Sequence, residues 1–244
     1  MIQGTTPTGA QTEQQAATWV QGMFGRIAPR YDLLNHLLSF NIDRLWRSHT
    51  VKRVEHVLRR PEARVLDLCC GTGDLMLALE SRRGSSVFGS DFCHPMLIEA
   101  CRKVSRRRFA SKLFEADGLN LPLADKSMDL ITIAFGFRNF ASYQKGLDEL
   151  FRVLRKGGVL AILEFSKPPN PLIAAGYNFY SRTILPALGG MISGSRDAYT
   201  YLPESVRKFP SAEELASEMG QVGFSRVSFE RLTGGIVALH LGTA

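Results

Sequence analysis

Residues 64 to 74 read Arg64-Val65-Leu66-Asp67-Leu68-Cys69-Cys70-Gly71-Thr72-Gly73-Asp74, a short apolar run that leads into a glycine-containing turn. Such a run is typical of a strand that is buried on both faces of a sheet. Gly71 and Gly73 let the backbone turn tightly and approach a ligand closely, because glycine carries no Cβ. The stretch therefore predicts a strand, a ligand-binding loop and the start of a helix, in that order.

Strand and helix patterns alternate along the chain that follows this loop. The segments with helical spacing of apolar residues are 75–83, 95–104 and 142–156, and those with strand character are 64–69, 87–91, 113–116, 130–135 and 159–165. We expect Gly157-Gly158 to end the third helix. Strands separated by helices in this way predict an α/β fold with a parallel, doubly wound sheet.

The last part of the chain departs from simple alternation. Ser211 and Glu214 form a capping-box pattern in front of a helix. Two apolar runs at 227–229 and 236–241 then flank Gly234-Gly235, which is typical of an antiparallel hairpin. A mostly parallel sheet that finishes in such a hairpin is similar to the Rossmann-like fold of the class I S-adenosylmethionine (SAM)-dependent methyltransferases, and it differs from that of the nicotinamide-dependent dehydrogenases.

Acidic residues after the second and third strands also favour SAM over a dinucleotide as the ligand. The dinucleotide fingerprint needs a third glycine, but Met76 stands in its place. Asp91 lies 20 residues after Gly71, where a carboxylate accepts ribose hydroxyls, and Asp117 is placed to meet an adenine amino group. The alternatives are a helix cap for Asp91 and a turn for Asp117. The predicted cofactor-binding residues are Asp67, Gly71, Thr72, Gly73, Asp91, Asp117 and Gly118.

Composition limits the class of protein further. The 244 residues carry a net charge of +7, and the four cysteines lack the spacing of a zinc site, so we predict no metal. There is neither a signal-peptide pattern nor an apolar run of the ~18 residues that a membrane span needs. We therefore expect a cytoplasmic protein with a flexible N-terminus (1–22) and a single domain (23–244). The positive charge favours an anionic partner, or it reflects solvated helix ends.

Three further stretches carry a family resemblance. They are Tyr31-Asp32-Leu33-Leu34-Asn35 with its continuation through Ser39 to Trp46-Arg47, then Phe135-Gly136-Phe137-Arg138-Asn139, and the run from Tyr199 to Val206. They resemble the ubiquinone/menaquinone biosynthesis C-methyltransferases, from about Phe24 to the C-terminus. The resemblance implies SAM-dependent methylation of a ring carbon of a reduced polyprenyl quinone precursor, with demethylmenaquinol preferred and the ubiquinol precursor as a further acceptor. Asp43 departs from the family, which usually has histidine there.

Methylation of a phenol-like ring at carbon suggests roles for the resembling residues. A ring hydroxyl has a pKa near 10, like tyrosine, so the site must stabilise the phenolate and hold the carbon in line with the methyl group. Arg138 is predicted to stabilise the anion, with a structural salt bridge as the alternative. Asn139 is expected to orient the ring oxygen or to cap a helix. Tyr31 is expected to hydrogen-bond a ring hydroxyl and Asp32 to accept its proton; the alternative is that both residues only pack in a lid. His36 is a second candidate for the base.

Two segments outside the core are expected to serve a lipophilic quinol. Residues 23–60 are predicted to form a helical lid, and residues 166–210 a substrate-side insertion. An apolar helical face in that insertion comprises Tyr177, Tyr180, Ile184, Leu185 and Leu188, and it either lines a channel for the prenyl tail or packs on the core. We expect peripheral contact with the membrane and no nucleic acid; a homo-oligomer stays open. The rival functions are methylation of another small phenol or of RNA, and SAM binding without catalysis.

Overall fold

A seven-stranded sheet organises the part of the chain that the computed structural model describes, residues 3–7, 9–184 and 196–244. The strands are β1 (Val65–Leu68), β2 (Phe88–Asp91), β3 (Lys112–Glu115), β4 (Met128–Ala134), β5 (Leu154–Phe165), β6 (Ser225–Leu232) and β7 (Val237–Thr243). Their order is β3-β2-β1-β4-β5-β7-β6. The first five strands run parallel, and β7 pairs antiparallel with both β5 and β6. The predicted sheet and its closing hairpin are confirmed.

Helices surround this sheet. They are α1 (Glu13–Ile27), α2 (Tyr31–Leu38), α3 (Ile42–Arg53), α4 (Glu55–Leu58), α5 (Asp74–Arg83), α6 (His94–Arg107), α7 (Tyr143–Val153), α8 (Pro171–Phe179), α9 (Arg196–Lys208) and α10 (Ala212–Val222). The Ser211–Glu214 capping box begins α10 as predicted. No helix in the described residues combines the length and the apolar character that crossing a bilayer requires.

The two faces of the sheet bury separate apolar layers. Along β4, Ile131 and Ile133 pack with Leu147 of α7 and Leu215 of α10. Leu130 points to the opposite face and packs with α5, as the two-residue period of a strand requires. Because both faces of the sheet are covered, the surface left for a ligand is the edge at which the parallel strands end.

One helix boundary differs from the sequence prediction. The third predicted helix, 142–156, ends as α7 at Val153, and Leu154 already belongs to β5. Leu154 keeps helical spacing from Leu150, but it pairs with Met128 of β4 and is fully buried in the sheet core. The glycine pair at 157–158 therefore lies within the strand, where Gly157 has a φ of +80°.

The N-terminal segment is also more structured than its composition predicts. Helix α1 begins at Glu13, inside the 1–22 range expected to be flexible, and it buries Ala16 and Val20. The Thr5 N–H donates to the Phe140 carbonyl at 2.7 Å. Contacts with distant parts of the chain, which local composition does not reveal, account for the difference.

Candidate active site

The loop after β1 is tied to the end of β2. The Cys70 N–H donates to the Ser90 carbonyl at 2.9 Å. The Gly71 N–H donates to Asp91 Oδ2 at 2.8 Å, and the Cys93 N–H donates to Asp91 Oδ1 at 2.9 Å. Burial raises the pKa of Asp91 to about 6, and these backbone donors oppose part of that rise. The carboxylate is thereby held at the strand ends with a fixed orientation.

A cleft of about 720 Å³ opens beside this carboxylate, and we call it the edge cleft. Its lining includes four of the residues predicted to bind the cofactor, Gly71, Asp91, Asp117 and Gly118, together with apolar side chains such as Met96. The described lining residues include two carboxylates and no lysine, arginine or histidine. Such a lining suits SAM, which is cationic and has no phosphate, and it is unfavourable for the phosphates of a dinucleotide.

The remaining predicted cofactor residues lie next to the edge cleft but do not line it. Asp67 is fully buried in β1, where its Oδ1 accepts from the Thr132 hydroxyl at 2.7 Å and its Oδ2 has no hydrogen-bond partner among the described residues. Burial raises the pKa of Asp67 to about 7. The Thr72 hydroxyl hydrogen-bonds with Asp32 and Lys103. Gly73, with a φ of +90°, precedes α5, and a Cβ there would lie 3.1 Å from the Met76 side chain.

A second, larger cleft lies between the N-terminal helices and the sheet, and we call it the lid cleft. It has a volume of about 1450 Å³. The walls come from α1, α2 and α3 on one side and from the ends of β4 and β5, α8 and α9 on the other. Phe24, Tyr31 and Phe135 line both clefts, so the two clefts adjoin at these three rings.

Arg138 contributes a buried cation to the lid cleft. The residue is only 6% exposed. Its Nη1 lies 3.0 Å from Glu164 Oε1, its backbone N–H donates to Glu164 Oε2 at 3.2 Å, and its guanidinium also donates to the Phe135 carbonyl. The salt-bridge alternative is thus present, with a glutamate, although Arg138 also lines the cleft. Sequence reasoning missed Glu164 because nothing local pairs residues 26 positions apart.

Tyr31 lines both clefts, whereas Asn139 lines the edge cleft alone. Burial raises the pKa of Tyr31, and its ring packs edge-on against Phe24 at 6.0 Å. Asn139 lines the edge cleft, and its Oδ1 accepts from the Tyr201 hydroxyl at 3.0 Å. The cap of the next helix, α7, is Ser142, so the capping alternative for Asn139 does not hold.

Asp32 and His36 face away from both clefts. Asp32 Oδ2 lies 2.5 Å from Lys103 Nζ, and its other oxygen accepts from Thr72. His36 Nδ1 lies 2.9 Å from Asp43 Oδ2. Neither residue is among those that line the lid cleft, so the geometry gives no support to the prediction that they accept a substrate proton. Successive residues of a helix point about 100° apart, which separates Asp32 from Tyr31.

Two aspartates near helix α2, Asp43 and Asp74, are each paired with a cation. Burial disfavours ionisation of Asp43, but the Ser39 hydroxyl and the Arg47 guanidinium lower its pKa below the usual value. Burial also disfavours ionisation of Asp74, but Lys103, with Nζ 2.7 Å from Asp74 Oδ1, lowers the pKa of this carboxyl below the usual value. Lys103 therefore connects helix α2, through Asp32, to Thr72 in the loop after β1 and to Asp74 of α5. The sequence alone did not predict this connection.

The fold defines the class of protein. The structure is similar to a crystal structure of a SAM-dependent methyltransferase, possible histamine N-methyltransferase, from Thermotoga maritima, with a TM-score of 0.64, 19% identity, and 91% of this chain and 98% of that chain covered. A SAM-dependent methyltransferase from Aquifex aeolicus matches with a TM-score of 0.54, 20% identity, and 80% and 97% covered. These likenesses show the SAM-dependent methyltransferase fold.

The family follows from the sequence comparison. The model of the ubiE/COQ5 methyltransferase family matches residues 10–244, and the chain belongs to this family. It is 51% identical to a demethylmenaquinone methyltransferase of Thermus thermophilus, over 90% of this chain and 99% of that protein. A ubiquinone/menaquinone biosynthesis C-methyltransferase of Geotalea daltonii is 43% identical, over 91% and 95%. The cofactor of the chain is accordingly SAM, which agrees with the acidic lining of the edge cleft.

Proposed function

We propose that the chain methylates a ring carbon of a reduced polyprenyl quinone precursor, converting demethylmenaquinol to menaquinol. Relatives named demethylmenaquinone methyltransferase, at 51% and 44% identity, support this acceptor. The structural observation that carries the proposal is the meeting of the two clefts at Tyr31, beside the buried cation of Arg138. A cofactor in the edge cleft and an aromatic acceptor in the lid cleft are then in direct contact.

Arg138 makes the acceptor carbon nucleophilic in this proposal. When bound, SAM would supply an electrophilic methyl group, which the ring carbon takes only when a ring hydroxyl has lost its proton. S-adenosylhomocysteine would leave, the methylated carbon would lose its hydrogen as a proton so that the ring is aromatic again and its oxygen is reprotonated, and one proton would be released to water overall. The Arg138 guanidinium stabilises the resulting phenolate, since a fixed cation in a water-poor cleft interacts strongly with an anion. Glu164 and the Phe135 carbonyl hold the guanidinium in place before the substrate binds, so little reorganisation is needed when the charge develops.

The rings around the junction align the reacting atoms. Phe24 and Phe135 present flat apolar surfaces, and the Tyr31 hydroxyl is placed to hydrogen-bond a ring oxygen. Asn139, fixed by Tyr201, borders the cofactor side of the junction. Holding the carbon in line with the methyl group accounts for much of the acceleration that an enzyme provides in such a transfer.

The lid and the insertion accommodate the rest of the substrate. Residues of α1, α2 and α3 cover the ring site as a lid, in keeping with the 23–60 segment. Tyr177 and Tyr180 of the 166–210 insertion line the lid cleft and receive the first part of the prenyl tail. The side chain of Ile184 and the residues Leu185 and Leu188 lie outside the described part of the chain. Because the tail partitions into lipid, the enzyme works in peripheral contact with a membrane.

Methyl-labelled SAM tests the proposal. The intact protein is incubated with chemically reduced demethylmenaquinone, the demethylated benzoquinol, or RNA, and the label is counted in the organic extract and in the nucleic acid. We expect label in the naphthoquinol, with less or none in the benzoquinol. Label in neither quinol, from protein that still binds SAM, would contradict the proposal. Label in RNA would support the rival methyltransferase function.

A further inference from the structure

Seven exposed apolar side chains lie on, or next to, the helices that line the lid cleft. We call this set the mouth surface and define it as Leu33, Leu37, Phe40, Leu45, Leu172, Ile173 and Phe179. Phe40 is 71% exposed, Leu172 81% and Phe179 62%. Helix α8, which carries the last three residues of the set, contains no buried residue at all. A helix that exposes large apolar side chains such as Leu172 and Phe179 lacks the partner that such a surface usually has.

The two parts of the mouth surface are joined at the cleft itself. The rings of Phe40 and Tyr180 lie 6.0 Å apart, and the Tyr180 hydroxyl donates to the Leu38 carbonyl at 2.6 Å. Phe40, Gly176 and Tyr177 all line the lid cleft. The exposed ring of Phe40 and helix α8 therefore lie at the same cleft, and a partner that covers both also covers the part of the cleft between them.

The sequence next to the residues of the mouth surface contains cations and few acidic residues. There is no aspartate or glutamate from Leu33 to Ile42, and none between Glu164 and Asp197, whereas Lys167 precedes helix α8. Arg44 is exposed beside Leu45. Among the described residues, neither Arg44 nor Lys167 takes part in an ion pair. Apolar and aromatic side chains bordered by cations are typical of surfaces that bind anionic bilayers.

We propose that the mouth surface docks on an anionic phospholipid bilayer, so that the tail of the quinol passes from the lipid into the lid cleft without crossing water. The proposal rests on the proposed function for the identity of the tail, but not for the docking itself. A second copy of the chain on the same surface would close the opening through which the substrate enters. A bilayer covers the same side chains and supplies the substrate.

Vesicle sedimentation tests the docking. The wild type is compared with the double variant Leu172→Ser/Phe179→Ser, whose side chains are exposed and do not line the cleft. Ile98→Ser is the matched control, since Ile98 is 41% exposed on α6, away from the lid cleft. We expect wild type and control to bind phosphatidylglycerol vesicles and to bind phosphatidylcholine vesicles more weakly. The double variant should bind at least ~10-fold more weakly, because two large apolar side chains no longer enter the lipid.

Two outcomes would overturn the docking proposal. One is equal vesicle binding by wild type and double variant. The other is a wild-type dimer in solution that the double variant converts to monomer with vesicle binding unaffected, which would assign the surface to a second copy. Activity on a short-tailed, water-soluble demethylated naphthoquinol separates docking from catalysis. We expect equal activity of wild type and double variant on it, whereas a wild type inactive on every quinol would contradict the proposed function and leave the vesicle result standing.

Discussion

We propose that Asp91 accepts the ribose hydroxyls of SAM, and we therefore expect SAM binding to depend on pH through the protonation of this carboxyl. The carboxyl is buried beside the edge cleft, with a pKa of about 6 rather than 3.8. Only the ionised carboxylate can accept two ribose hydroxyls. With a pKa of about 6, roughly nine-tenths of the protein is ionised at pH 7 and roughly one-tenth at pH 5. The affinity for SAM should therefore fall about tenfold between these pH values.

The raised pKa of Asp91 also indicates that the fall in SAM affinity at low pH does not come from unfolding of the protein caused by protonation of this group. Its pKa is higher in the folded protein than in the unfolded chain, so ionisation of this group opposes folding, and acidification through pH 6 favours the folded state as far as Asp91 is concerned. A weaker affinity at pH 5 in protein that is still folded by circular dichroism then reports on the site. Titration calorimetry of SAM at pH 5, 6, 7 and 8 provides the measurement.

Asp91→Asn is the control for this experiment. The amide cannot ionise, so its SAM affinity should be low and nearly constant from pH 5 to pH 7. The N–H groups of Gly71 and Cys93, which donate hydrogen bonds to the carboxylate in the wild type, also lose a charged acceptor in Asp91→Asn. A wild-type affinity that stays level between pH 5 and pH 7, or an Asp91→Asn protein that binds as the wild type does, would refute the assignment of Asp91 to the ribose.

Further predictions concern the buried groups and the lid. Glu164→Gln leaves the Arg138 cation uncompensated in the interior, so urea denaturation should show a loss of about 3–5 kcal/mol in unfolding free energy, and a loss below about 1 kcal/mol would count against a buried pair. Lys103→Met removes the cation between Asp32 and Asp74, so trypsin should cleave the lid helices faster than in the wild type and in Lys103→Arg; equal rates in all three would disprove the link. Burial lowers the pKa of His240 to about 4 from 6.5, so its contribution to stability is complete above pH 6.5 and decreases by about 3 kcal/mol as the pH falls through 4. Urea titrations at pH 7 and pH 4 should show this decrease in the wild type and a smaller one in His240→Gln, and equal decreases would exclude His240 as its source.

The sequence predicted the parts of the molecule that local pattern determines. Apolar runs, glycine turns and the Ser211–Glu214 box gave the strands, the hairpin and α10, because each depends on residues a few positions apart. Asp91 and Asp117 could be placed together since parallel strands end at one edge of the sheet. The predicted end of α7 was wrong. Leu154 satisfies the helical spacing, but in the structure it belongs to β5 and pairs with Met128 of β4.

The parts that were missed depend on contacts between distant residues. Glu164, the partner of Arg138, lies within an apolar strand and has no local feature that identifies its role. Lys103 is one of several basic residues on α6, and only the folded chain distinguishes it by placing Asp32 and Asp74 around it. The folding of helix α1 likewise depends on contacts across the fold, such as that of the Trp19 ring with Tyr201 at 5.0 Å. Spacing along the chain carries no information about such pairs.

The role of Arg138 in stabilising the phenolate is the central claim, and single-turnover methyl transfer to demethylmenaquinol tests it most directly. Arg138→Lys keeps the charge beside Glu164 but loses the fork of N–H donors, and Arg102→Lys on the exposed face of α6 serves as the control. We expect Arg138→Lys to transfer the methyl group about 100-fold more slowly or worse, with unchanged SAM affinity, and the control to match the wild type. Transfer by Arg138→Lys at the wild-type rate would contradict the account.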